Sequence, residues 1–119
     1  MGLIRDPRHL AFVRQLPCLA CGVDYGIHAA HIRFDSGAGM GMKPGDNRVV
    51  PLCYLHHTEG PDAQHRSGER EWWRRRNINP ISVAEHLYDR TGQLNYCRGY
   101  IIELSAHALA SCFTGNGRC

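Results

Sequence analysis

No apolar run in this chain approaches the roughly 20 residues that a membrane-spanning helix needs,. The opening segment MGLIRDPRHL puts charges where an export signal would carry its apolar core,. A reducing compartment, the cytoplasm, is therefore expected, and with it cysteines that bind metal before they form disulfides. Charge of one sign is also scarce. Lysine and arginine outnumber aspartate and glutamate by only 14 to 11, and the net +3 permits a polyanionic partner without demanding one,. Gly41-Met42-Lys43 runs into Pro44 rather than serine or threonine, which removes a phosphate-binding loop from consideration,. Upstream of Cys18 the only histidine is His9, followed by Leu10 and Ala11. The glutamate that a zinc deaminase places two residues after a histidine is missing, and that chemistry is excluded,. No internal repeat is present.

What the chain does have is six cysteines and eight histidines in 119 residues. That length fits one domain, small enough for a bound metal to contribute much of its stability. Residues 5–17 read as a short helix, with Asp6 as cap, Pro7 at the first helical position and Leu10, Val13 and Leu16 along one side,. Residues 27–34 and 48–53 have strand character, and the glycine-rich stretch 35–47 connects them. A helix is expected from about Cys53, stopped by Gly60-Pro61. Two more are expected, one over 69–76 and one capped by Asn79 with Pro80 at its start and Gly92 at its end. Residues 100–113 could form a further helix before a fraying tail.

Cys18-x-x-Cys21 and Cys53-x-x-His56 are two ligand pairs at the spacing of structural zinc sites,. A tight turn serves the first pair, and the first turn of a helix serves the second. Three thiolates and one imidazole would close a tetrahedral site. The separation of the pairs, residues 22–52, is too long for a simple finger or ribbon, so something else occupies the insertion. His57 is left over. Successive residues of an α-helix point about 100° apart, so His57 faces away from the ion that His56 would hold. His31 ends the first strand, and His65 follows the Gly-Pro break and could fold back. Histidines converging from a strand and a helix beside a zinc frame are a candidate hydrolytic metal site.

PCLACG, AAHIRF, GMGMKPGDNRVVPLCYLHH and QHRSGEREWW, in that order over residues 5 to 90, resemble the HNH, or ββα-metal, endonucleases. The nearest likeness is to the small phage- and prophage-encoded branch of Ref-like recombination-associated nucleases. The resemblance implies an α+β fold, a small zinc-stabilised ββα-metal core with flanking helices. It occupies residues 1–92, with residues 93–119 as a C-terminal extension without an assigned role. It implies Cys18, Cys21, Cys53 and His56 as structural zinc ligands and His31 as the general base. It also implies a catalytic divalent ion (Mg²⁺, Mn²⁺ or Zn²⁺) on His57, with His65 as a further candidate ligand. Asp46 is favoured over Asn47 as the polar residue that orients the base or supports the metal loop. A neutral His31, with an ordinary pKa of about 6.5, would take a proton from water, and the products would carry 5′-phosphate and 3′-hydroxyl ends. The implied setting is the cytoplasm of a bacterial host.

Two features depart from the pattern. Ala30 stands where many members carry a metal ligand immediately before the base. His28, three residues from His31, is expected on the opposite face of a regular strand. GPDA (60–63) lengthens the usual distance between His57 and His65.

DNA is the expected partner, and a phage or host recombination protein is a further candidate. The segment 66–76 holds five arginines against two glutamates. Arg70, Arg74, Arg75, Arg76 and Lys43 are the candidate phosphate contacts, and Gly37, Gly39 and Gly41 would let backbone approach DNA. The same charge run also fits a solvated helix face. Trp72 and Trp73 are read first as core residues and second as base-stacking platforms. The alternative function is a non-catalytic zinc module that binds nucleic acid or a phage protein. Such a module would keep the four zinc ligands and the arginines without needing His31, His57 and His65 together. Cys97, Cys112 and Cys119 are expected to be unpaired thiols.

Overall fold

Asp6 opens the first helix: its side chain accepts from the His9 N–H, and Pro7 fills the first helical position,. The computed structural model describes residues 4–34, 44–65 and 68–115, the last four of these by backbone alone. Its elements are α1 (Pro7–Val13), strands β1 (Ile27–His31) and β2 (Val49–Cys53), a short helical turn (Leu55–Glu59), α2 (Glu69–Arg76), α3 (Pro80–Asp89) and α4 (Leu94–Gly115). The architecture is α+β, with one two-stranded antiparallel sheet among helices. Lys43, Gly37, Gly39 and Gly41 lie outside the described residues, as do the side chains of Cys112 and Cys119.

The hairpin is in register from Ile27 opposite Cys53 to His31 opposite Val49. All five residues of β2 are buried, as befits a strand covered on both faces,. Pro51 has no N–H to give, and its carbonyl accepts from Leu19 at 2.8 Å, which ties the Cys18 turn to the strand,. Around β2 gather α1, α3 and the helical turn, while α2 packs against α4. Val13, Leu16, Leu52, Trp72, Trp73 and Leu87 fill the centre. Both tryptophans are core residues, as their first reading had it. Their indole N–H groups donate to the Asp62 carbonyl at 2.8 Å and to Gln64 Oε1 at 2.6 Å,.

The core does not stop at residue 92, because Cys97, Ile101 and Ala108 of α4 enter the same apolar cluster. α1 is shorter than its apolar pattern. After Val13 the chain tightens into i→i+3 bonds, Gln15 to Phe12 and Leu16 to Val13, before Pro17,. β1 ends at His31, although the Ile32 N–H still reaches the Arg48 carbonyl at 2.8 Å. The helix expected from Cys53 is instead a single wide turn, with Gly60 N–H bonded to the Leu55 carbonyl five residues back at 2.9 Å. Gly60 is needed there, since a Cβ would sit 2.5 Å from that carbonyl oxygen. Among the described residues no helix is long and apolar enough to cross a membrane.

Candidate functional site

The Cys18–Gly22 turn folds on itself. Gly22 N–H donates to the Cys18 carbonyl at 2.8 Å, and Ala20 N–H points at Cys18 Sγ at 3.4 Å. Gly22 has φ +80°, a left-handed conformation that glycine adopts without strain,. The turn faces the end of β2 and the helical turn beyond it, where Cys53 and His56 stand. One ligand atom from each of Cys18, Cys21, Cys53 and His56 lies within 4.8 Å of all the others, the one such convergence among the described residues. Cys53 Sγ is 3.2 Å and Cys18 Sγ 4.0 Å from His56 Nδ1, and the Cys21 and Cys53 sulfurs are 3.9 Å apart.

The donor set suits a metal such as zinc,. A hydrogen bond to Cys21, and then burial, push Cys18 up to about 12. The same bond pulls Cys21 down, while burial raises Cys53. Three thiolates would crowd negative charge at one point, and a divalent cation held among them would offset it. All four cysteines whose side chains are described are free thiols. Cys97 is the one outside this cluster.

His57, next along the wide turn, looks the other way. Its Nδ1 lies 2.9 Å from His28 Nδ1, and its Nε2 lies 3.1 Å from His65 Nε2. Burial, then the neighbouring His65 and His28, hold its pKa down at about 4, so the ring is neutral near pH 7 and keeps a lone pair for a cation,. The GPDA segment does not carry His65 away. The loop turns back so that Gln64 N–H donates to the His56 carbonyl at 2.7 Å and His65 N–H to the His57 carbonyl at 3.3 Å. Asp62 anchors the loop to α2, pairing with Arg76 at 2.7 Å and Arg75 at 3.4 Å.

His31 meets a different partner. Its Nε2 is 2.9 Å from Asp46 Oδ1, and the buried Asp46 carboxylate also accepts the Asp6 N–H on Oδ2 at 2.8 Å. Arg5 stands 3.7 Å from the same Oδ1. Because a carboxylate accepts, the network assigns a proton of His31 to Nε2,. The His31 side chain is 12 % exposed, so water reaches its edge. His31 is also near enough to His57 to bear on its charge.

The arginines divide. Arg76 is buried, donates to the Trp72 carbonyl at 3.0 Å, pairs with Asp62 and lies 3.5 Å from the centroid of the Trp72 ring. Its candidacy as a phosphate contact is corrected: its guanidinium is spent inside the fold. Arg75 is half-buried against the same aspartate. Arg74 pairs with Glu71 on the surface, and Arg70 is exposed and lies over the Phe34 ring.

His28 is the residue that the sequence pattern passes over. Alternation along β1 sets it apart from His31, yet the hairpin register puts it opposite Leu52, beside the strand end that leads to His57. The chain matches no protein-family model, no curated protein and no solved structure.

Proposed function

We propose that the chain is a metal-dependent DNA endonuclease of HNH type, with a structural zinc on Cys18, Cys21, Cys53 and His56. The observation that carries the reading is the pairing of buried Asp46 with half-buried His31 at the hairpin that leads into the turn bearing His57. A base held in one tautomer beside a second, neutral histidine is an arrangement suited to activating water next to a cation.

In this reading Asp46 accepts the Nε2–H of His31, and a water molecule gives its proton to the other ring nitrogen as its oxygen attacks phosphorus. The resulting imidazolium is stabilised by the carboxylate on its far side. The P–O3′ bond breaks, and the leaving oxygen takes a proton from solvent. His57 and His65 would hold the divalent ion, which would supply stabilisation of charge on the phosphate and on the leaving oxygen. Arg70 and Arg74, on the exposed face of α2, contact the backbone phosphates.

The test is cleavage of supercoiled plasmid and of single-stranded DNA with Mg²⁺, Mn²⁺ or Zn²⁺, by the wild-type protein and by His31→Ala and His57→Ala. Cleavage lost in both variants, with folding and the structural zinc retained, supports the nuclease. DNA binding without cleavage under every metal would overturn it in favour of the non-catalytic zinc module.

A further inference from the structure

His57 has two ring nitrogens and a histidine at each. A cation held by His57 and His65 must sit against their Nε2 atoms, which face each other at 3.1 Å. Two nitrogens bound to one tetrahedral zinc at roughly 2.0–2.1 Å stand about 3.3 Å apart, close to that separation. Both Nε2 atoms must then offer lone pairs, which forces the proton of His57 onto Nδ1. The atom facing His57 Nδ1 at 2.9 Å is His28 Nδ1. Without a cation the three rings can be satisfied with their protons running in either direction. With one, only a single direction remains, and in it His28 is the acceptor. A metal-bound histidine commonly gives its second N–H to a fixed acceptor, which holds the ring in place and makes it a better ligand.

We propose that His28 is a positioning residue: its Nδ1 accepts the Nδ1–H of His57 and fixes His57 in the tautomer whose Nε2 lone pair is aimed at His65. The inference rests on the reading of His57 and His65 as metal ligands. It also accounts for the geometry of the three histidines, which form a row rather than a ring around one point. The edge-on approach of the two rings, with centroids 5.1 Å apart and planes 77° apart, keeps the nitrogen of one directed at the other. Ala30, at the position where a ligand was expected, is fully buried and contributes no donor. Support from the strand therefore comes from two residues earlier.

The experiment measures Zn²⁺ binding to protein that already holds its structural zinc, by calorimetry, for wild type, His28→Leu and His28→Asn. Asparagine places an acceptor oxygen near the position of the lost Nδ1, and leucine places none. The expected result is a loss of roughly 10–100-fold in affinity for the second ion with leucine, substantial recovery with asparagine, and unchanged structural zinc content in both. Nitrogen-15 spectra of the zinc-loaded wild type should show His57 protonated on Nδ1 and bound through Nε2. Equal weakening by the two substitutions, or none by leucine, would overturn the positioning role. So would a spectrum with the metal on His28 itself, which would make His28 a ligand. If the wild type binds no second ion, the reading of His57 and His65 falls first and this inference with it, an outcome distinct from the others.

Discussion

Two histidines adjacent in sequence, His56 and His57, open onto opposite kinds of site. On the His56 side three sulfurs and one nitrogen converge within 4.8 Å, two of the four residues are buried, and the backbone around them is hydrogen-bonded to β2. On the His57 side the donors among the described residues are imidazoles, drawn from a strand, a turn and a returning loop, and His65 is exposed. A closed thiol-rich cage suits an ion that never exchanges its ligands, whereas an open imidazole row leaves coordination positions for water or phosphate. The wide turn keeps the two apart, so that in the proposed reading one short segment serves folding with one histidine and chemistry with the next.

The largest expected effect breaks that comparison at its closed end. Strong chelation, or Cys18→Ser, should remove on the order of 10 kcal/mol, comparable with the whole stability of an ordinary domain. Circular dichroism should report a largely unfolded chain, and mass spectrometry the loss of one bound metal. His57→Ala should leave both signals near wild type. A chain that keeps its melting transition after full chelation would show that the cluster is not the staple.

At the open end, the next effect falls on rate and not on folding. His31→Ala should lower DNA cleavage by about 10²–10⁴-fold, the usual contribution of a general base. Asp46→Asn should approach the same loss, since an amide can turn its NH₂ toward Nε2 and favour the wrong tautomer. Asp46 also receives the Asp6 N–H, so each variant is compared by its thermal midpoint before its rate. Asp46→Asn cleaving at the wild-type rate would remove the orienting role while leaving His31 as a candidate base.

The closed site was legible in the sequence because its information is local: two pairs spaced by three residues, each on a single turn. The caps at Asp6 and Asn79 and the proline starts of α1 and α3 were legible for the same reason. The open site was legible only in part. His28 meets His57 through a strand register set by a connection of many residues, and no short-range pattern encodes that register,. The return of His65 was open to the sequence but not fixed by it, because GPDA reads as a spacer until Asp62 is seen bound to Arg75 and Arg76. Counting arginines similarly cannot tell a buried guanidinium from a solvated one, and Arg76 sits among three charges of the same sign that face outward or only partly inward.

That difference within α2 yields the two smallest predictions, and they sharpen the contrast between the sides. Arg76 lies on the closed side, stacked on Trp72, whose ring in turn stands 6.2 Å from that of His56. Arg76→Met keeps much of the apolar volume but leaves Asp62 with only the longer contact to Arg75. The expected cost is about 1–3 kcal/mol, seen as a fall of several degrees in the thermal midpoint, with further loosening of the loop that returns His65. Arg70 lies on the open side, exposed over Phe34. Arg70→Ala should lower the midpoint less than Arg76→Met does and weaken DNA binding evenly across sequences. It should also reduce the slope of log affinity against log salt by about one, as for the loss of one phosphate contact. If Arg70→Ala leaves that slope unchanged, α2 does not face the nucleic acid, and the phosphate contacts must be sought on the hairpin side, nearer His31.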